Sequence, residues 1–147
     1  MRLILQRVKE ARVRVEDQVV GRVGRGLLVF AGVVIGDGTE QVDAAVEKLA
    51  RLRVFEDEAG KMNLDAAAAG AGFLVVSQFT LAASLDRGRR PSFDRAAPPA
   101  VAAPLIDRLV TGLRERGFAV EEGSFGAHMA VELINDGPVT FVLDLEP

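Results

Sequence analysis

The sequence predicts an α+β fold, a single domain over residues 1–147 with largely antiparallel or mixed β-sheet and two main helices. Three observations predict it. The chain opens with two strand-like stretches around a short polar turn, which read as a hairpin. Two continuous apolar runs, Leu27 to Val34 and Gly72 to Phe79, have the composition of strands covered on both faces. Two further stretches carry apolar residues at helical spacing. A length of 147 residues fits one ordinary domain, and no internal repeat, low-complexity tract or linker divides it.

In chain order, Leu3 to Val15 reads as a long strand, and Asp17-Gln18 as the turn into a second strand, Val19 to Val23. Gly24-Arg25-Gly26 separates this hairpin from the buried run beginning at Leu27. Gly36-Asp37-Gly38-Thr39 ends that run, and Thr39 is placed to cap a helix carrying Val42, Val46 and Leu49 to about Arg53. Val54-Phe55 forms a short strand, and Glu56 to Lys61 a surface turn. The second buried strand ends on the polar segment Ser77-Gln78-Phe79-Thr80, and a loop of about fifteen residues follows. Pro98-Pro99 start a helix from about Ala100 to Arg116, striped by Leu105, Leu109 and Leu113 and stopped by Gly117. Strands near Phe118 to Glu121, Ala130 to Ile134 and Val139 to Leu145 close the chain, the last two separated by a turn at Gly137-Pro138.

Composition removes several classes of function. The absence of cysteine excludes a thiol nucleophile, a disulfide framework and any Cys-ligated metal. A net charge of −3 argues against a protein that coats nucleic acid by electrostatics alone. Neither a signal-peptide h-region nor a span of about 20 apolar residues is present, so the expectation is a cytoplasmic protein without a membrane partner. One histidine and scattered carboxylates give no metal-ligand spacing, and Gly21, Gly24 and Gly26 lie in a hairpin rather than in a phosphate-binding strand–helix turn. No metal and no cofactor are expected.

What remains for chemistry is a pair of polar strand ends, Ser77 to Thr80 and Asn135 to Thr140, where a rigid scaffold can hold polar atoms beside a substrate. Ser77 lacks the G-x-S-x-G elbow that exposes a hydrolase serine, so His128 reads as a surface or supporting residue rather than a triad base. Arg87, Arg89, Arg90 and Arg95 share a basic loop with Gly88 and Pro91.

A series of segments in order then carries a family resemblance: Met1-Arg2 to Gln6-Arg7-Val8, Gly26 to Val29, Leu52 to Asp57, Gly60 to Asn63, Ser77 to Leu81, Gly88 to Phe93 and Asn135 to Thr140. Over essentially its whole length the chain resembles the bacterial D-aminoacyl-tRNA deacylases of the D-tyrosyl-tRNA deacylase type. The resemblance implies a barrel-like core and a homodimer. It implies hydrolysis of the ester between a D-amino acid and the terminal adenosine of tRNA, with glycyl-tRNA as a further substrate class, and aminoacyl-tRNA rather than DNA as the partner. Ser77, Gln78, Phe79 and Thr80 would line the catalytic pocket, with Thr80 as a possible covalent nucleophile against a 2′-hydroxyl-assisted water. N–H groups around Phe79 and Thr80 would stabilise the oxyanion. Gly137-Pro138 would be a cis motif that enters the partner subunit's pocket and excludes L-side chains. Asn135, Phe125 and Met129 complete the substrate-binding set, and Arg87, Arg89 and Arg90 are the tRNA-binding candidates.

The chain departs from the family pattern at Ala82 to Arg87, where an aromatic and a basic residue are missing, and at His128, where the family commonly has Asp. Two other classes compete with the deacylase. One is a noncatalytic RNA-binding dimer, which has no need of both polar strand ends. The other is a general serine esterase, which needs Ser77 and His128 together.

Overall fold

The computed structural model describes all residues 1–147. Strand β1 (Arg2–Val15) is the spine of a six-stranded sheet, because three other strands pair with it. Its first half pairs antiparallel with β3 (Gly26–Gly32), and its second half with β2 (Gln18–Val23). The hairpin turn between β1 and β2 holds Glu16 and Asp17 at positive φ. Along its other edge β1 carries the long strand β8 (Ala130–Asp144). Two short strands, β4 (Phe55–Glu56) and β5 (Met62–Leu64), form a separate ribbon, and β6 (Gly72–Ser77) lies parallel to β3. Strand β7 (Val120–Glu122) pairs parallel to β6.

The sheet curls until its outer strands β2 and β7 meet. The Arg22 N–H donates to a Glu121 carboxylate oxygen at 2.8 Å. A Cβ on Gly21 would lie 2.3 Å from the Glu122 carbonyl oxygen, so only glycine allows that approach. The result is the barrel-like mixed sheet expected of the fold.

Both faces of the central strands are filled, which explains their unbroken apolar sequence. Leu27 and Val29 on β3 and Phe73 and Val75 on β6 point toward the helices α1 (Thr39–Arg51) and α3 (Pro99–Glu115), where Val42, Leu49, Leu109 and Leu113 are buried. Leu28, Leu74 and Val76 point into the curl, against Val8, Ala11 and Val13. Each fully buried side chain of this size contributes roughly 1.5–3 kcal/mol. Helix α3 begins with Pro99 in its first turn and continues through Pro104 to Glu115, and Gly117 follows at positive φ, as a helix stop requires.

Several expectations are corrected. Gly38, not Thr39, occupies the N-cap of α1, and its N–H donates to the Gln41 side-chain oxygen at 2.7 Å. The one-turn helix α2 (Ala66–Ala69), capped by Asp65, and strand β5 carry too few residues for a periodic signal. Strand β6 ends at Ser77, and Phe79–Ala82 form a 3-10 turn instead of prolonging it. The last two predicted strands are one strand, β8. Its outer face is tied to β1 by cross-strand ion pairs. Glu132 accepts from Arg12 and Arg14, which hold its carboxyl below the usual range. Arg2 does the same for Asp144 at 2.7 Å.

Candidate active site

The C-terminal ends of the parallel pair β3 and β6 lie side by side, Ala31 opposite Ser77. The region outside the carboxyl ends of neighbouring parallel strands is a natural position for a crevice. A cavity of about 610 Å³ opens there. Ala31 and Val33 form one part of its wall, Val76, Ser77 and Gln78 another, and the start of α3 from Pro98 to Ile106 a third. The loop before β8 closes it with Phe125, His128 and Met129. The lining is mostly apolar with few polar groups, as expected for a site that takes one small organic group.

Gln78 is the pivot between strand and turn. Its N–H donates to the Ala31 carbonyl at 2.8 Å, extending the β3–β6 ladder by one residue, and its carbonyl accepts from Leu81 N at 3.2 Å to start the 3-10 turn. The N–H groups of Phe79 and Thr80 stand ahead of that first turn bond. The Gln78 side-chain amide donates to the Thr80 hydroxyl, which fixes the two polar side chains against each other. Phe79 is 60% exposed and packs against the Phe93 ring at a centroid distance of 5.2 Å. This close fit of turn to sheet depends on Gly32. A Cβ there would lie 2.9 Å from the Gln78 carbonyl oxygen and 2.8 Å from Leu81 Cβ.

The second polar segment is built differently. Gln6 on β1 faces Thr140 and Val8 faces Asn135, so the four residues Asp136 to Val139 stand opposite the single residue Arg7. They bulge out of the ladder, with Gly137 and Pro138 exposed and the peptide between them cis. Two devices hold the excursion. Asn135 spans its base, accepting from Val139 N at 2.9 Å and donating to the Val139 carbonyl at 3.1 Å. Arg7, 4% exposed, donates from Nε to the Asp136 carbonyl at 2.9 Å and from Nη1 to the Val54 carbonyl at 2.8 Å.

The structure therefore gathers Ser77, Gln78, Phe79, Phe125 and Met129 around one cavity, with Thr80 beside Gln78 at its margin. Asn135, Gly137 and Pro138 do not line that cavity, and Asn135 directs its amide to its own strand and to Gln6. Arg87 lines a separate polar cleft of about 280 Å³ with Ser84, Asp86, Ser92, Asp94 and Arg95, while Arg89 and Arg90 are exposed on the same loop. Ser77 and His128 share the cavity, but no carboxylate lines it to orient a triad histidine. Sequence reasoning missed the wall supplied by α3, since Pro98-Pro99 signalled only a helix start; His128, read as a surface or supporting residue, is exposed and also lines the cavity.

The model of the D-Tyr-tRNA(Tyr) deacylase family matches residues 4–144. The chain belongs to that family. It is 55% identical over 145 residues to a D-aminoacyl-tRNA deacylase of Beutenbergia cavernae, covering 98% of this chain and 99% of that one. Its fold superposes with a TM-score of 0.93 on a solved structure described as c-Myc DNA Unwinding Element Binding Protein, 34% identical with both chains fully covered. A probable eukaryotic D-amino acid tRNA deacylase shares the fold at a TM-score of 0.85 and 22% identity, with 98% of each chain covered.

Proposed function

We infer that the chain is a hydrolase of D-aminoacyl-tRNA, cleaving the ester to free tRNA and a D-amino acid and so removing wrongly charged tRNA before translation. The observation that carries this is membership of the deacylase family along residues 4–144. The cavity at the ends of β3 and β6 suits the reaction, because its mostly apolar walls accommodate a nucleoside and a side chain while Ser77 and Gln78 supply polar contacts. Unpaired N–H groups around Phe79 and Thr80 are the proposed donors to the oxyanion formed when water attacks the ester carbonyl. The water is activated by the tRNA 2′-hydroxyl, and Thr80 positions the ester. Thr80→Ala is then expected to reduce turnover of D-tyrosyl-tRNA by no more than about 10-fold, the loss of one neutral hydrogen bond. Complete loss of turnover would instead favour Thr80 as a covalent nucleophile.

The exposed Gly137-Pro138 excursion serves a second copy of the chain. It does not line its own cavity, so a homodimer in which it enters the partner's cavity gives it a ligand to meet. There its main chain excludes an L-side chain by steric and polar conflict, selecting D-substrates without extra attraction. Side-by-side hydrolysis of D- and L-tyrosyl-tRNA tests this reading. D-selective release supports it, and equal release of both esters would leave the excursion without that role.

Arg87, Arg89 and Arg90 hold the phosphates of the acceptor stem. None of the three enters an ion pair within the chain, and all are exposed. Replacing all three by glutamine is expected to flatten the log–log dependence of tRNA affinity on salt by about 2 units. An unchanged slope would remove the loop from the RNA contact.

A further inference from the structure

The cavity has one ionisable side chain. Of the 18 residues that line it, His128 alone belongs to a type that gains or loses charge, and it is exposed at the rim. Charged groups on the neighbouring elements are engaged outside the cavity. Asp94 and Arg95 line the neighbouring polar cleft, and Glu132, four residues beyond His128, bonds to Arg12 and Arg14 on the outer face of the sheet. Glu121 accepts from the Arg22 N–H across the β2–β7 junction, and Arg108 on α3 is paired with Asp43 at 2.8 Å. The start of α3, from Pro98 to Ala103, contributes no charge, nor does the 3-10 turn.

The size of the cavity limits what it can enclose. About 610 Å³ holds one nucleoside with its aminoacyl group, so the phosphodiester that joins this nucleoside to the rest of an RNA stays at the mouth. A phosphodiester approaching a chain of net charge −3 needs a local cation there. An imidazolium is repelled by the α-ammonium of the substrate, so His128 suits the nucleotide side of the ligand rather than the amino-acid side.

We propose that His128 is a specificity-determining residue whose imidazolium contacts the phosphodiester preceding the terminal nucleoside, so that this chain grips a nucleotide-extended acceptor end more tightly than the bare aminoacyl nucleoside, and most tightly in mild acid. The proposal rests on the cavity being the seat of the aminoacylated RNA terminus. Histidine is the side-chain type whose charge changes across pH 5–8, which makes the contact a pH-graded one.

Two hydrolysis-resistant amides test it: 3′-(D-tyrosylamino)-3′-deoxyadenosine, and the same nucleoside extended at its 5′ side by a cytidine 3′-phosphate. Calorimetric titration of the full chain with each is run at about pH 5.5 and about pH 8, the range over which histidine titrates. The dinucleotide is expected to weaken by about 3–5-fold between the two conditions, the range of one exposed ion pair, and the nucleoside to change less. The α-amine titrates in both probes, so the difference between them isolates the phosphate. His128→Gln should abolish that difference, and His128→Lys should hold the dinucleotide tightly at both pH values. Equal pH responses of the two probes, or a difference that survives His128→Gln, would overturn the proposal. Absence of binding by either probe would overturn the assignment of the cavity itself, a distinct result that removes the proposal with it.

Discussion

Gly32→Ala is expected to lower deacylation of D-tyrosyl-tRNA by about 100-fold while leaving the protein folded, because displacement of reacting groups by about an ångström is enough for a loss of that size. Gly32 is the last residue of β3, and the turn that carries Phe79 and Thr80 is packed directly on it. The added methyl group would lie 2.9 Å from the Gln78 carbonyl oxygen and 2.8 Å from Leu81 Cβ. The first of these is main chain, so no change of rotamer relieves the contact. Gln78 is also tied by its N–H to Ala31 and by its carbonyl to Leu81, so the displacement passes into the turn. Ala31 and Val33 on either side of Gly32 belong to the principal core, but the added methyl group meets the turn and not their side chains, so the cost in stability is the smaller effect. Gly24→Ala is the control. Nothing lies within 4 Å of its Cβ position, and its stability should stay within about 0.5 kcal/mol of the parent. Near-parental turnover in Gly32→Ala, measured beside thermal unfolding, would show that the position of this turn does not matter to the reaction.

The contrast between β6 and β8 shows what the sequence makes legible. Phe73, Leu74, Val75 and Val76 are all buried, alternately under the helices and inside the curl, and a strand with two covered faces leaves an unbroken apolar run. The same physics made β3 legible, and the leucine stripe of α3 was equally direct. Strand β8 misled because Pro138 has no N–H for a ladder, which reads locally as a break. The fold keeps the strand continuous by lifting Asp136 to Val139 out of register opposite Arg7, a solution that depends on a residue 129 positions away. Long-range arrangements of this kind leave no period in the sequence. The cavity was half legible for the same reason: Ser77 to Thr80 ends a local pattern, whereas the wall from Pro98 to Ile106 and the rim position of His128 exist only after the sheet has curled.

Arg7→Met is expected to destabilise the protein by about 3–5 kcal/mol, because two main-chain carbonyls lose hydrogen bonds from a charged donor, each worth roughly 1.5–3 kcal/mol. Arg7 is 4% exposed, and its guanidinium joins parts of the chain that no strand pairing connects: Asp136 at the β8 excursion and Val54 before β4. Glu56, 56% exposed and 3.5 Å from Nη2, regains water when the arginine is removed and adds little to the loss. Methionine fills much of the volume, so the effect measures the lost donors more than a cavity. For a domain whose total stability is about 5–15 kcal/mol this is a large fraction, and thermal unfolding should fall by about 10 °C or more. Arg7→Lys should recover only part of it, since an ammonium cannot span the separated acceptors that the planar fork reaches. The second readout is chiral. If the excursion selects D-substrates in a partner's cavity, loosening its base at Asp136 should raise the ratio of L- to D-tyrosyl-tRNA hydrolysis at a temperature where the variant is still folded. A variant with lowered thermal stability and an unchanged ratio would confine Arg7 to holding the fold together, and a variant with parental stability would show that the guanidinium bonds are replaced by water.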